Sequence, residues 1–239
     1  MKSISDEKVI QAQESLKTLS AKERLQWACS EFKGSFALTT SFGIQSSVLL
    51  HMLHSIDLEE SVPVIWIDTG YLPKETYIYA KELTNLFKLN LQIFQSSISP
   101  ARMEALFGKL WETNKIEDLE KYNEVRKIKP LENAFKSLNI SCWASGVRGD
   151  QTKNRENMNI IGKIRGRFSL RPLLDWDNKK VFYYMKKYDL PQHPLFQQGY
   201  STVGDWHSSA PDGANAAGRE TRFGGLKQEC GIHLENKEN

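Results

Sequence analysis

The sequence predicts an α/β protein built on a mostly parallel, doubly wound sheet, followed by a polar tail that carries an isolated cysteine, Cys230. Three observations lead there. Short apolar runs alternate with amphipathic segments between Phe36 and Tyr188, the pattern of strands joined by helical crossovers. Two of those runs end in turns rich in Ser, Gly and Asp, where an open parallel sheet binds its ligands. Hydrophobic content of 40% and charged content of 26% over 239 residues suit one sizeable core rather than a disordered or fibrous chain.

The elements follow in order. The first thirty or so residues read as helix, with a capping box at Ser20-Ala21-Lys22-Glu23 and a buried face of Leu25, Trp27, Ala28 and Phe32. Strands are expected at Phe36–Thr39, Val62–Ile67, Leu89–Phe94, Cys142–Ser145 and Phe168–Leu170. Helices are expected at Val48–Leu53, Glu75–Phe87, Pro100–Leu110, Leu131–Leu138 and Asn178–Tyr188. From Pro191 onward Pro, Gly, Ser and Asp dominate, which suits a long loop or a mobile tail. The expected division is an α/β domain with N-terminal helices over 1–198 and a tail over 199–239.

Composition narrows the function classes. No apolar run reaches the length of a membrane span, and the N-terminus lacks the apolar stretch of a signal peptide. Three widely spaced cysteines, with no Cys-x-x-Cys pair, argue for a reducing, cytoplasmic setting and against a cysteine-bound metal or cluster. A net charge of +3 is too mild to indicate nucleic acid. The charge is unevenly placed, however. Arg148, Lys153, Arg155, Lys163, Arg165, Arg167 and Arg171 face only Asp150 and Glu156 over that stretch, which suits either a small polyanion such as a nucleotide or a solvated basic loop.

At the end of the first strand, Ser41-Phe42-Gly43-Ile44-Gln45-Ser46-Ser47 combines a glycine, several hydroxyls and a helix N-terminus, all able to meet an anion. An ordinary helix cap would explain it as well. The second strand ends at Asp68-Thr69-Gly70, where Asp68 suits a pocket or a cap. Cys230 lies in Lys227-Gln228-Glu229-Cys230-Gly231-Ile232-His233, without apolar periodicity and near the cations Arg222, Lys227 and His233 that would favour a thiolate. Cys29 and Cys142, by contrast, sit on apolar faces and read as core.

Those segments occur together with Glu75-Thr76-Tyr77, Gly108-Lys109-Leu110-Trp111-Glu112, Gly146-Val147-Arg148-Gly149-Asp150-Gln151, Pro172-Leu173-Leu174-Asp175-Trp176 and Glu220-Thr221-Arg222-Phe223-Gly224-Gly225-Leu226-Lys227. In that order, over nearly the whole chain, they resemble the thioredoxin-dependent phosphoadenosine phosphosulfate (PAPS) reductases of sulfate assimilation. The resemblance implies a sheet of the adenine-nucleotide α-hydrolase (PP-loop, Rossmann-like) kind. It places Ser41, Phe42, Gly43, Ser46 and Ser47 at the phosphosulfate end and Asp68, Thr69 and Gly70 at the adenosine pocket. It makes Lys109, Arg148, Arg155 and Arg171 candidates for the phosphates, and Cys230 the nucleophile, supported by Arg222, Lys227 or His233. Glu229, which would oppose a thiolate, receives no catalytic task.

The implied chemistry passes through an S-sulfocysteine that thioredoxin or glutaredoxin reduces by way of a transient mixed disulfide, and relatives are commonly homodimers. A sister group acting on adenosine phosphosulfate carries an iron–sulfur cluster on paired cysteines. Here the matching positions hold Tyr122-Asn123 and Asp205-Trp206-His207-Ser208, so no cluster and PAPS as substrate are expected. An ATP-cleaving adenylating enzyme of the same fold would carry Ser-Gly-Gly-x-Asp-Ser, which this chain lacks. A nucleotide-binding regulator without chemistry would have little use for the Cys230 motif.

Overall fold

A computed structural model describes residues 6–58, 60–213, 216–229 and 231–233. Two helices open the chain, α1 (Asp6–Thr18) and α2 (Ala21–Glu31). The capping box read from sequence starts α2: Ser20 Oγ accepts from Glu23 N, and Glu23 reaches back to Ser20 N. Then follow β1 (Phe36–Thr40), α3 (Ser46–His54), β2 (Pro63–Asp68), α4 (Lys74–Phe87), β3 (Asn90–Gln95) and α5 (Pro100–Phe107). Next come α6 (Ile116–Asn123), a one-turn π-helix at Glu124–Ile128, α7 (Lys129–Ser137), β4 (Cys142–Ala144) and the short α8 (Lys153–Glu156). The strands β5 (Ile161–Ile164) and β6 (Arg167–Leu170) form a hairpin before α9 (Asn178–Lys187), and 3-10 turns occupy Pro194–Gln198, Trp206–Ser208 and Gly218–Gly225.

The six strands lie in the order β3-β2-β1-β4-β6-β5, parallel except for β5, which runs antiparallel at one edge. The expected parallel, doubly wound sheet is therefore present. Alternate residues serve its two faces, as the period of a strand requires. Phe36, Leu38, Val64, Trp66, Cys142 and Ala144 pack with α1 to α4 and α9 on one face. Ala37, Ile65 and Trp143 pack with Leu131, Ala134 and Phe135 of α7 on the other. Arg24 ties the N-terminal helices to the sheet: almost fully buried, it donates to the carbonyls of Leu16 and Pro172 and to Asp175.

Cys142 is wholly buried and Cys29 is packed against the same core; burial pushes the Cys29 thiol up to about 11 and that of Cys142 well above its usual value. Neither forms thiolate readily. The chain leaves the centre of the sheet in opposite directions from β1, to β2 on one side and β4 on the other. Their carboxyl ends open a crevice at this switch point. Among the described residues no helix is long and apolar enough to cross a membrane.

Candidate active site

A cavity of about 270 Å³ occupies that crevice. Its floor is the end of β1 with Thr40, Ser41, Gly43 and Ser46; one wall carries Thr69 and Lys127, the other Ser145, Gly146 and Arg148. Residues 201–205 and the tail residues Arg219, Arg222, Ile232 and His233 close it over.

The turn after β1 is shaped by a residue that faces away from the cavity. Phe42 adopts φ +47° while its amide donates to Thr40 Oγ1, and its fully buried ring packs edge-on against Trp66 at 5.0 Å. That anchor leaves Ser41 and Gly43 on the cavity side and lets Ser46, bonded through its amide to the Gly43 carbonyl, begin α3 there. Phe42 thus anchors the turn from outside the cavity lining, and Ser47 is likewise buried outside that lining.

The Asp68-Thr69-Gly70 turn divides in the same way. Asp68 Oδ1 accepts from Gly70 N and Tyr77 Oη, and Oδ2 accepts from Gln95 Nε2, so its carboxylate builds the turn rather than lining the cavity. Gly70 has φ +74°, and a Cβ there would lie 2.7 Å from Pro100 Cγ, so the position demands glycine. Only Thr69 reaches the cavity, bonded through Oγ1 to the buried carboxylate of Asp205.

The cations separate into those gathered at the cavity and those elsewhere. Arg148 is 4% exposed, donates through Nη2 to Asn178 Oδ1 at 2.7 Å, and lies with Nε 3.3 Å from Asp150 Oδ1. Its Nε and Nη1 have no hydrogen-bond acceptor among the described residues, and burial pushes the guanidinium pKa down. An anionic oxygen in the cavity would supply what those donors lack.

Arg155 also lines the cavity, but its charge is committed: Nε and Nη2 each meet a carboxylate oxygen of Glu229 at 2.7 Å. Thr152 Oγ1 and Arg219 Nη2 complete the shell around Glu229, and although burial opposes its ionisation, these partners hold its carboxyl below the usual range. Lys109, half-exposed, pairs with Glu112, and Lys227 pairs with Glu120 at 2.9 Å; neither borders the cavity. Arg171, buried and donating to the Asn159 carbonyl, also stands outside its lining.

The tail is held on both sides of Cys230, which itself lies outside the described residues. Glu229 is clamped by Arg155, while Arg165 Nη1 and Nη2 donate to the Gly231 and Ile232 carbonyls at 3.3 and 2.9 Å. The His233 ring stacks on Trp143 with centroids 5.2 Å apart. Burial, with Arg155, Arg171, Arg219 and Arg165 nearby, holds that imidazole well below its ordinary pKa. Arg222 enters the cavity and donates to Ser209 Oγ.

Of the residues picked from sequence, the structure brings Ser41, Gly43, Ser46, Thr69, Arg148, Arg155, Arg222 and His233 to one cavity. It sets Phe42, Ser47, Asp68, Gly70, Lys109, Arg171 and Lys227 outside the lining. Sequence reasoning missed Lys127, Asp205 and Arg219, which all border it. Tyr122 and His207, noted in sequence only for the cysteines they replace, meet through Tyr122 Oη and His207 Nε2 at 3.0 Å, and His207 stacks on Trp111 at 4.0 Å.

A parallel sheet with a Ser/Gly turn, a helix N-terminus and converging guanidinium groups at its switch point defines a nucleotide-binding α/β protein of the adenine-nucleotide α-hydrolase (PP-loop) fold. Comparison with known proteins sharpens this. The family described as the phosphoadenosine phosphosulfate reductase domain matches residues 35–211. The phosphoadenosine 5'-phosphosulfate reductase of Synechococcus sp. is 53% identical over 215 residues, covering 90% of this chain and 92% of its own. The crystal structure of phosphoadenylyl-sulfate (PAPS) reductase from Candida auris, in a phosphate complex, superposes with a TM-score of 0.73 at 27% identity, over 87% of this chain and 99% of that one. Candida glabrata FMN adenylyltransferase, with a TM-score of 0.60 at 17% identity over 100% of this chain and 79% of its own, shares the fold. The chain belongs to the phosphoadenosine phosphosulfate reductase family.

Proposed function

We propose that this protein reduces PAPS to sulfite and adenosine 3',5'-bisphosphate, with Cys230 as nucleophile and thioredoxin or glutaredoxin as electron donor, in cytoplasmic sulfate assimilation. The observation that carries the reading is the tail. Residues on both sides of Cys230 are tied to a cationic cavity at the carboxyl ends of β1, β2 and β4. The family match and the Synechococcus relative, which spans almost the whole chain, support PAPS as the substrate.

The Cys230 thiolate attacks the sulfur of the activated sulfate, forming an S–S bond as the bond from sulfur to the phosphate oxygen breaks. Adenosine 3',5'-bisphosphate leaves with that electron pair, which cationic groups such as Arg148 and Lys127 offset. A thiolate of the reduced donor then attacks Cys230 Sγ; sulfite departs with the electrons of the S–S bond, and a mixed disulfide remains. The donor's second thiol resolves it, so the donor is oxidised by two electrons and Cys230 returns as thiol. The donor and the nucleotide cannot reach one sulfur together, so the tail docks for the first step and releases for the second.

The test is to mix reduced protein with PAPS, and separately with adenosine phosphosulfate, without a donor, and to weigh the peptide holding Cys230. A sulfonate adduct formed with PAPS alone is the expected result. An adduct with adenosine phosphosulfate instead reverses the substrate, and no adduct in protein that binds nucleotide removes the covalent mechanism.

A further inference from the structure

Asp205 is the one fully buried carboxylate on the cavity wall among the described residues, and nothing in the reaction outlined above uses it. A carboxylate bordering a site for an anionic ligand works against binding unless it serves a cation. Its Oδ2 lies 2.6 Å from Lys127 Nζ, and its Oδ1 accepts from Thr69 Oγ1. Lys127 comes from the π-helix at 124–128, Thr69 from the turn after β2, and Asp205 from the loop that closes the cavity. Arg126, donating through Nε to the Thr69 carbonyl at 2.8 Å, and Trp206 N, donating to the Tyr71 carbonyl, fix these three segments against one another.

Lys127 has a side chain only 10% exposed, and it borders the cavity. An ammonium carries three donors, and this one stands at ion-pair distance from Asp205. A buried lysine without a counter-ion loses its proton towards neutral pH. Other charges around it do not supply that counter-ion. Arg126 and Arg222 are cations, Tyr71, Tyr77 and Tyr122 present phenols, and burial pushes the His207 imidazole down to about 4, which leaves it neutral. Burial opposes ionisation of Asp205 too, but the Lys127 charge and hydrogen bond, with that of Thr69, hold its carboxyl well below the usual range.

We propose that Asp205 is a positioning residue, which keeps the Lys127 ammonium protonated and aimed from the cavity wall at an anionic oxygen of the bound nucleotide. This rests on the functional reading above and adds a residue to it. The pair is neutral as a whole, so it draws no anion from a distance; it presents an ammonium at contact, where hydrogen bonds to a charged oxygen are strongest. Thr69, in the second anchor, stops the carboxylate from rotating away.

Asp205→Asn keeps the shape and removes the charge. The alkaline limb of the kcat/KM profile for PAPS reduction then moves to lower pH by at least about one unit, as a buried lysine without its counter-ion does. In the double variant Asp205→Asn/Lys127→Arg that displacement disappears, because a guanidinium does not titrate in this range. Thr69→Val, which only loosens the carboxylate, moves the limb the same way by less, and serves if Asp205→Asn does not fold. Competitive acetylation with peptide mass spectrometry reads the Lys127 pKa without any substrate. Wild-type protein that reduces no PAPS sinks the functional reading. An unmoved Lys127 pKa in Asp205→Asn (in Thr69→Val if that variant does not fold), or a loss of rate equal at every pH and equal in the Lys127→Met background, sinks the role proposed for Asp205.

Discussion

Replacing Glu229 with glutamine removes one charge from the pair that fastens the tail and leaves the backbone untouched. Glu229 is 7% exposed and meets Arg155 through two bonds of 2.7 Å, with Thr152 and Arg219 as further partners. Breaking one partner of a buried pair costs about 3–5 kcal/mol when nothing can rearrange. Here glutamine still offers polar atoms and the tail can leave for water, so the lower end applies. About 3 kcal/mol is on the order of a hundredfold in the ratio of docked to released tail. Amide hydrogen exchange followed by mass spectrometry reads that ratio directly. Peptides covering 226–233 should exchange on the order of a hundredfold faster in Glu229→Gln, while α3 and the sheet keep their protection. Arg155→Met should give the same loss, and the double variant no more than either single one, because both break one contact. Affinity for adenosine 3',5'-bisphosphate should hold or rise in Glu229→Gln, since Arg155 is then released to the cavity. Unchanged protection of 226–233 would refute the reasoning, as would an equal loss across α3.

Two further outcomes follow from particular contacts. A Cβ at Gly204 would overlap the Arg222 guanidinium, whose end can swing aside. Gly204→Ala should therefore lower kcat/KM by at least about tenfold, from the displacement of a cavity-lining cation, while Tm shifts by only a few degrees. His193 is wholly buried; its Nδ1 accepts from Leu195 N and its Nε2 meets Thr76 Oγ1 at 3.1 Å, and burial pushes it down to about 4. The unfolded chain binds that proton near the ordinary imidazole value and the folded one does not, so stability falls as pH falls between the two. The total is about 3 kcal/mol, complete near the lower pKa. Urea unfolding across that window should show the drop, and His193→Gln should flatten that part of it.

Much of the fold was legible because its parallel strands are short apolar runs bounded by turn residues. Phe36-Ala37-Leu38-Thr39 and Val64-Ile65-Trp66-Ile67 have helices on both sides of the sheet, so they read as continuous apolar stretches. Strand β5 was missed because Gly162 and Lys163 interrupt its apolar pattern, as an edge strand allows. The helix at Ile116–Asn123 was missed because it is charged on most of its surface and buries only Leu119, Tyr122 and Asn123. The π-turn that follows shifts the period of the apolar residues, so no 3.6-residue pattern runs through Lys127. In the site, glycines and hydroxyls at strand ends were legible because parallel sheets place them alike. Which cation meets which carboxylate was not. Arg155 and Glu229 are 74 residues apart, and Lys127 finds Asp205 only after the 199–209 loop folds over β2.

Those pairings decide how charge is divided around the cavity and the tail residues beside it. A glutamate beside a nucleophilic cysteine would raise its pKa if it stood alone, by repelling the thiolate. Glu229 does not stand alone: Arg155 and Arg219 both reach it, so the group next to Cys230 is at least neutral overall. On the far wall the Asp205 charge is likewise spent on Lys127. Both carboxylates are therefore matched, and Arg148, which also faces Asp150, keeps two buried donors without a hydrogen-bond acceptor among the described residues. In the proposed reaction, cations that favour a polyanionic ligand would also favour a nearby thiolate, and water would screen that influence away from the cavity. If the tail docks and releases as proposed, the Arg155–Glu229 pair, which ties the residue next to Cys230 to the cavity, is the contact that has to open between the two steps.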